Sequence, residues 1–245
     1  VMGAKLDGDA LKGRVVMLEF WGINCKPCLT SMPHVARLND ELSGFGLVVV
    51  AAHAQNGTPE KIRYVARSRG ANFSVVENAR VAGADDIKGI PHSIIFDRTG
   101  KCVYRGHPMQ DEATLRETLG KAIAAKFKGS PVKPVASVLD SLRKGQAPAG
   151  ALQKAITLSK GADKAAAAQA KELIDAMTEP AVAEFALLQR ERSIDPVTVL
   201  PRLARFKEDL KGTPTGAKSA ELLSEMKKDK VVQAELKARP SLDVV

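Results

Sequence analysis

The spacing of apolar residues changes repeatedly along the first half of the chain, and each change predicts an element. Arg14–Phe20 (RVVMLEF) is an apolar run interrupted by a single glutamate, the pattern of a buried strand. From Leu29 onward apolar residues fall at helical spacing (Leu29, Met32, Val35, Ala36, Leu38, Leu42), which predicts an amphipathic helix. Gly46–Ala54 (GLVVVAAHA) reads as a second strand. Thr58 is a helix cap followed by Pro59 at the first helical position, and Gly70 ends that helix. Asn72–Glu77 reads as a short third strand. His92–Asp97 and Lys101–His107, joined by Arg98-Thr99-Gly100, read as an antiparallel hairpin. Asp111–Phe127 closes the region as an amphipathic helix. Strand–helix–strand order with a terminal hairpin predicts an α/β domain with a mixed sheet over residues 1–128.

The pattern then shifts. Gly129, Ser130, Pro131 and Pro134 mark a linker over residues 129–134. Beyond it strand patterns almost vanish, and residues 135–245 read as an all-α domain of about six or seven short helices. Asp195–Pro196 and Thr213–Pro214 look like caps followed by proline at the first helical position. Pro201 marks a helix start or a kink. Pro180, Pro196 and Pro214 suggest helical-hairpin repeats with a period of about 34, although the side chains that mark such repeats are missing. The alanine run Ala165–Ala168 reflects helix propensity.

Composition narrows the function classes. Aromatics make up 4% of the 245 residues, too few for a platform that stacks single-stranded nucleic acid. The net charge of +9 is divided evenly. Residues 1–128 carry 18 basic and 13 acidic side chains, residues 129–245 carry 19 and 15, and no basic block emerges, so no nucleic-acid partner is expected. No apolar run of about 18 residues is present to span a membrane. Three cysteines exclude a disulfide framework.

Two of those cysteines lie in Glu19–Pro33 (EFWGINCKPCLTSMP), together with the single tryptophan. Cys25-Lys26-Pro27-Cys28 falls between a strand and a helix. Unpaired N–H groups at a helix N-terminus stabilise a thiolate, the reactive form of cysteine, and Lys26 adds a positive charge. Pro27 needs no N–H there, and two intervening residues let the sulfurs bridge. One thiol can then attack a partner disulfide and the other resolve the mixed disulfide. Two other readings compete. A structural bridge closing so short a loop constrains the unfolded chain little. A zinc site commonly needs a second pair, and none exists, so no metal is expected.

The segment LEFWGINCKPCLTSMP (Leu18–Pro33) resembles the active-site region of the thioredoxin superfamily, with the Glu-Phe-Trp lead-in, the cysteine pair and a helix proline, Pro33. GIPHSIIFDRTGKCVYRGH (Gly89–His107) resembles that family's cis-proline and hairpin. LDGDALKGRVV (Leu6–Val16) and the extra helix–strand unit over residues 57–77 are most similar to its TlpA/ResA-like branch. The resemblance covers about residues 5–127 and leaves out the helical tail. It implies a thioredoxin-like fold and an extracytoplasmic bacterial thiol–disulfide oxidoreductase, periplasmic or membrane-associated through a removed N-terminal signal. The implied partners are protein thiols and disulfides, with no cofactor. Cys25 would be the exposed nucleophile, Cys28 the buried resolving thiol and Glu19 a buried acid exchanging a proton with Cys28. Trp21, Lys26, Pro27, Ile90 and Pro91 would flank the substrate, with Pro91 in the cis form. Ser31 stands where some ResA-like proteins carry a glutamate, a departure that bears against cytochrome maturation. A rival reading makes the helical tail a module that recruits a protein partner, with the redox domain secondary. A peroxide-reducing enzyme of the same fold is disfavoured by the vicinal pair. Cys102 is expected in the core of its hairpin strand. His92 either lines the site or is structural, and His34, His53 and His107 show no metal spacing.

Overall fold

The computed structural model of the protein describes residues 1–3, 11–77 and 87–242. The part of Leu6–Val16 that precedes Leu11 therefore lies outside the described residues. Five strands form one mixed sheet: β1 (Val15–Trp21), β2 (Leu47–His53), β3 (Ser74–Glu77), β4 (His92–Phe96) and β5 (Cys102–Gly106), in the order β3-β2-β1-β4-β5. β1–β2 and β2–β3 are parallel, while β1–β4 and β4–β5 are antiparallel. β1 and β2 are buried along nearly their whole length, as strands covered on both faces must be.

Helices α1 (Lys26–Leu42), α2 (Pro59–Ser68) and α3 (Glu112–Ala124) belong to the sheet half. Thr58 caps α2 by accepting the Lys61 N–H at 3.3 Å. The described residues then form α4 (Lys133–Arg143), α5 (Pro148–Ser159), α6 (Lys164–Glu191), α7 (Pro196–Asp209), α8 (Pro214–Lys228) and α9 (Lys230–Leu242). Asp195 and Thr213 cap α7 and α8 through the Thr198 and Gly216 N–H groups. α6 departs from the expectation of short helices, for it runs 28 residues, roughly 42 Å at 1.5 Å per residue. Pro180 lies inside α6, so the proline period does not mark helix starts. Tertiary packing holds α6 together there, with Pro180 against Gly46. Pro201 falls within α7.

One hydrophobic cluster runs from the sheet into the helices and includes Met17, Leu38, Phe45, Leu119, Leu139, Met177 and Phe206. The join is close. A Cβ added to Gly120 of α3 would lie 1.8 Å from the Leu142 carbonyl oxygen of α4, and Phe206 of α7 stacks over Gly44. Burying Phe206 alone contributes roughly 2–3 kcal/mol. Ion pairs also cross the join: Arg67 to Asp195 at 2.8 Å, and Lys126 to Glu179. Within the helices Arg202 and Glu184 form a buried pair. Cys102 corrects its expectation: it is exposed, because β5 pairs on one side only and a register shift opposite Ile95/Phe96 turns its end outward. Among the described residues no helix is long and apolar enough to cross a membrane.

Candidate active site

β1 ends at Trp21, and the chain turns tightly, with the Cys25 N–H donating to the Gly22 carbonyl at 3.1 Å. α1 starts at Lys26, which leaves Cys25 at the N-cap. Its sulfur takes the place of a capping oxygen and accepts the Cys28 N–H at 3.2 Å. Pro27 sits in the first turn, where its missing N–H removes no helical bond. Cys25 and Cys28 are joined by a disulfide, with their Cα atoms 5.2 Å apart.

Burial distinguishes the two sulfurs less than the family resemblance implies. Cys25 is 8% exposed and Cys28 1%. Cys25 is thus the more accessible residue but sits in a shallow recess, because α1 begins beneath it and the Ile90 carbonyl closes one side. Lys26 and Pro27 are exposed beside it. Ser31 is buried and donates to the Cys28 carbonyl at 3.0 Å.

Strand register brings the second segment in. β1 and β4 pair Phe20 with His92, so the Ile90–Pro91 peptide lies beside the end of β1. That peptide bond is cis. The Cys25 sulfur lies 3.6 Å from the Ile90 carbonyl oxygen. In the disulfide the sulfur has no hydrogen to donate; as a thiol it can donate to this carbonyl. Ile90, Pro91 and His92 are half-buried. Trp21 is fully buried and presses its ring edge-on against His53, with centroids 5.2 Å apart. It forms a wall beneath the loop rather than part of the surface.

Pleating places Met17, Glu19 and Trp21 on one face of β1. Met17 and Trp21 belong to the same cluster as Cys28 and Met32, so Glu19 shares the face that carries the cysteine pair. Phe20 packs on the opposite face with Ala52 and Ile94. Glu19 is 2% exposed; one carboxylate oxygen accepts the Ser93 hydroxyl at 2.6 Å and the other has no hydrogen-bond partner. Burial pushes its pKa up to about 8, the Ser93 bond opposes this, and the charge of Asp111 adds to it.

Ser93 and Asp111 carry no signal in the sequence that would single them out. Asp111 precedes α3 as an ordinary cap would, yet it is fully buried and makes no side-chain capping bond. Neither of its carboxylate oxygens has a hydrogen-bond partner. Burial pushes its pKa up to about 7, while the nearby Ser93 hydroxyl and its own N–H pull it down. Ser93 has one hydroxyl hydrogen and donates it to Glu19, so it acts on Asp111 through its dipole. The pair of cysteines therefore lies on the sheet face that carries Glu19, and Asp111, at the start of α3, is a second buried carboxyl whose pKa is raised toward neutrality.

No family model matches the chain. Among curated relatives, the thiol-disulfide oxidoreductase ResA of Bacillus thuringiensis (strain Al Hakam) is 30% identical over 103 residues, 41% of this chain and 59% of the relative. ResA of Bacillus subtilis (strain 168) is 29% identical over 103 residues, 41% of this chain and 57% of the relative. The chain thus spans less than two thirds of the length of these relatives. Among solved structures, a thiol-disulfide isomerase from Corynebacterium glutamicum is 21% identical with a TM-score of 0.42, covering 49% of this chain and 86% of that one. Over the matched 103 residues the chain is similar to the ResA thiol-disulfide oxidoreductases, of the ResA/TlpA-like branch of the thioredoxin superfamily.

Proposed function

We propose that the protein is an extracytoplasmic bacterial thiol–disulfide oxidoreductase that exchanges the Cys25–Cys28 dithiol with disulfides of protein partners. The observation that carries this reading is the disulfide itself, seated at the N-terminus of α1 with the Cys25 sulfur accepting the Cys28 N–H. That hydrogen bond and the helix end favour negative charge on Cys25 once the bridge opens. The ResA relatives are themselves named thiol-disulfide oxidoreductases, which supports the reaction class.

In the reducing direction the Cys25 thiolate attacks a substrate disulfide. A Cys25–substrate bond forms, and one substrate sulfur leaves with the electron pair of the broken bond. Cys28 then loses its proton and attacks the Cys25 sulfur. The Cys25–Cys28 bond re-forms and the second substrate sulfur leaves. Two electrons have passed to the substrate, whose sulfurs take up two protons. Glu19 lies on the face beneath the pair and accepts the Cys28 proton in the second step, directly or through water. Lys26, Pro27, Ile90 and the cis Pro91 border the recess and contact the substrate chain, while Trp21 holds the loop from below. Residues 1–128 carry this chemistry, and the helices beyond the linker cover the far end of the sheet half.

The test is reduction of insulin disulfides with dithiothreitol as electron source. Wild type accelerates insulin reduction and Cys25→Ser does not. Equal rates for the two would remove the functional reading.

A further inference from the structure

We infer that His53 and Gln55 are positioning residues for Cys25: they clamp the backbone of the Trp21–Cys25 loop and so hold the sulfur at the helix N-terminus. This role rests on the redox reading of the Cys25–Cys28 pair. Three successive residues at the end of β2, His53, Ala54 and Gln55, take three backbone groups of the loop. The Ala54 N–H donates to the Trp21 carbonyl at 2.8 Å. The Ile23 N–H donates to the His53 Nε2 at 3.4 Å. The Asn24 N–H donates to the Gln55 Oε1 at 2.9 Å. With the Cys25 N–H on the Gly22 carbonyl, each N–H from Ile23 to Cys25 has a partner. The loop lies directly over the Gln55 amide: a Cβ on Gly22 would come within 2.2 Å of its Cδ, so a side chain there would displace Gln55 from its contact with the loop.

The clamp requires a neutral His53. Nε2 accepts a hydrogen bond, so the ring hydrogen sits on Nδ1. A protonated ring would turn an N–H toward the Ile23 N–H and open the clamp. The groups facing His53 are the Trp21 ring edge, the Ile23 N–H, the Gly57 backbone and Glu77, its register partner on β3. Glu77 is the charged one among these. Burial lowers the His53 pKa below its usual 6.5, with Glu77 opposing. The neutral ring is therefore favoured at neutral pH, and the clamp is lost as pH falls through this depressed value.

Iodoacetamide alkylation of Cys25 in the reduced 245-residue chain tests this, with peptide mass mapping to separate the three cysteines. His53→Leu removes the acceptor, His53→Gln keeps an acceptor that does not titrate, and Gln55→Ala removes the second contact. At neutral pH His53→Leu and Gln55→Ala slow Cys25 alkylation by about threefold to tenfold, the effect of one lost hydrogen bond. His53→Gln keeps the wild-type rate at neutral pH and lacks the extra fall that wild type shows toward acid. If His53→Leu fails to fold, His53→Gln and Gln55→Ala decide the matter. Wild-type rates and pH profile in Gln55→Ala, or a wild-type acid fall in His53→Gln, would overturn the inference. Alkylation needs no disulfide substrate, so normal alkylation with absent insulin reduction would count against the redox reading alone.

Discussion

Glu19→Gln perturbs the buried acid that β1 places on the face carrying the cysteine pair. Glu19 has its pKa raised from 4.5 to about 8 in the folded chain. A raised carboxyl stabilises nothing by ionising. Below the unfolded value both states are protonated and there is no penalty; as pH rises from 4.5 toward 8, the unfolded chain ionises freely and the folded one does not. At pH 7 this costs the fold about 3 kcal/mol. Glutamine removes that cost but leaves amide hydrogens unmatched in a buried site, which returns about 1–2 kcal/mol. Glu19→Gln is therefore expected to be more stable than wild type by about 1–2 kcal/mol at pH 7. The difference between the two proteins should change by about 2–3 kcal/mol between pH 5 and pH 7, in favour of the variant as pH rises. Asp111 contributes pH dependence of the same sign to both, and its charge is one cause of the raised Glu19 value, so the difference reports Glu19 together with its coupling to Asp111. Guanidinium titrations at several pH values provide the measurement. Stopped-flow kinetics should show attack by Cys25 intact and resolution by Cys28 slowed by about a hundredfold. Identical pH dependence of stability in both proteins, with an unchanged resolution rate, would refute the reasoning about Glu19.

Other outcomes follow from the join between the two halves. A fragment ending at Lys128 should still reduce insulin but unfold at lower denaturant than the full chain, because it exposes Leu119, Phe45 and the Gly44 face that Phe206 covers; a wild-type midpoint would show that the helices add no stability. Gly120→Ala should cost about 3 kcal/mol in denaturant unfolding, since its methyl group meets the backbone of α4 rather than a movable side chain. Glu184→Ala should cost about 3–5 kcal/mol by the same measurement, because it removes the close partner of buried Arg202 and leaves Glu191 at 4.0 Å.

Local features were legible in the sequence, and long-range ones were not. Cys25-Lys26-Pro27-Cys28 declares itself because the whole device lies within one helical turn. Glu19 stands out as an acid in an apolar strand, and the caps at Thr58, Asp195 and Thr213 follow from side chains next to the backbone they serve. Ser93 meets Glu19 only through the β1–β4 register, across 74 residues of chain. Asp111 reads simply as the first residue of the closing helix, and nothing nearby in the sequence signals that its carboxyl is buried. His53 and Gln55 reach the Cys25 loop because parallel pairing of β1 with β2 brings the two strand ends together. Cys102 was placed inside because its strand was legible while its edge position was not. Pro180 misled because packing against Gly46 outweighs the local cost of a proline within α6.

The central claim is that Cys25 is the attacking sulfur of an exchanging pair. Cys28→Ser, reduced and mixed with insulin, should accumulate a mixed disulfide that cannot resolve, and peptide mass mapping should place the insulin chain on Cys25. Cys25→Ser should trap none at Cys28, which is 1% exposed. Trapping at Cys28 in Cys25→Ser, or no adduct on Cys25 in Cys28→Ser, would contradict the account.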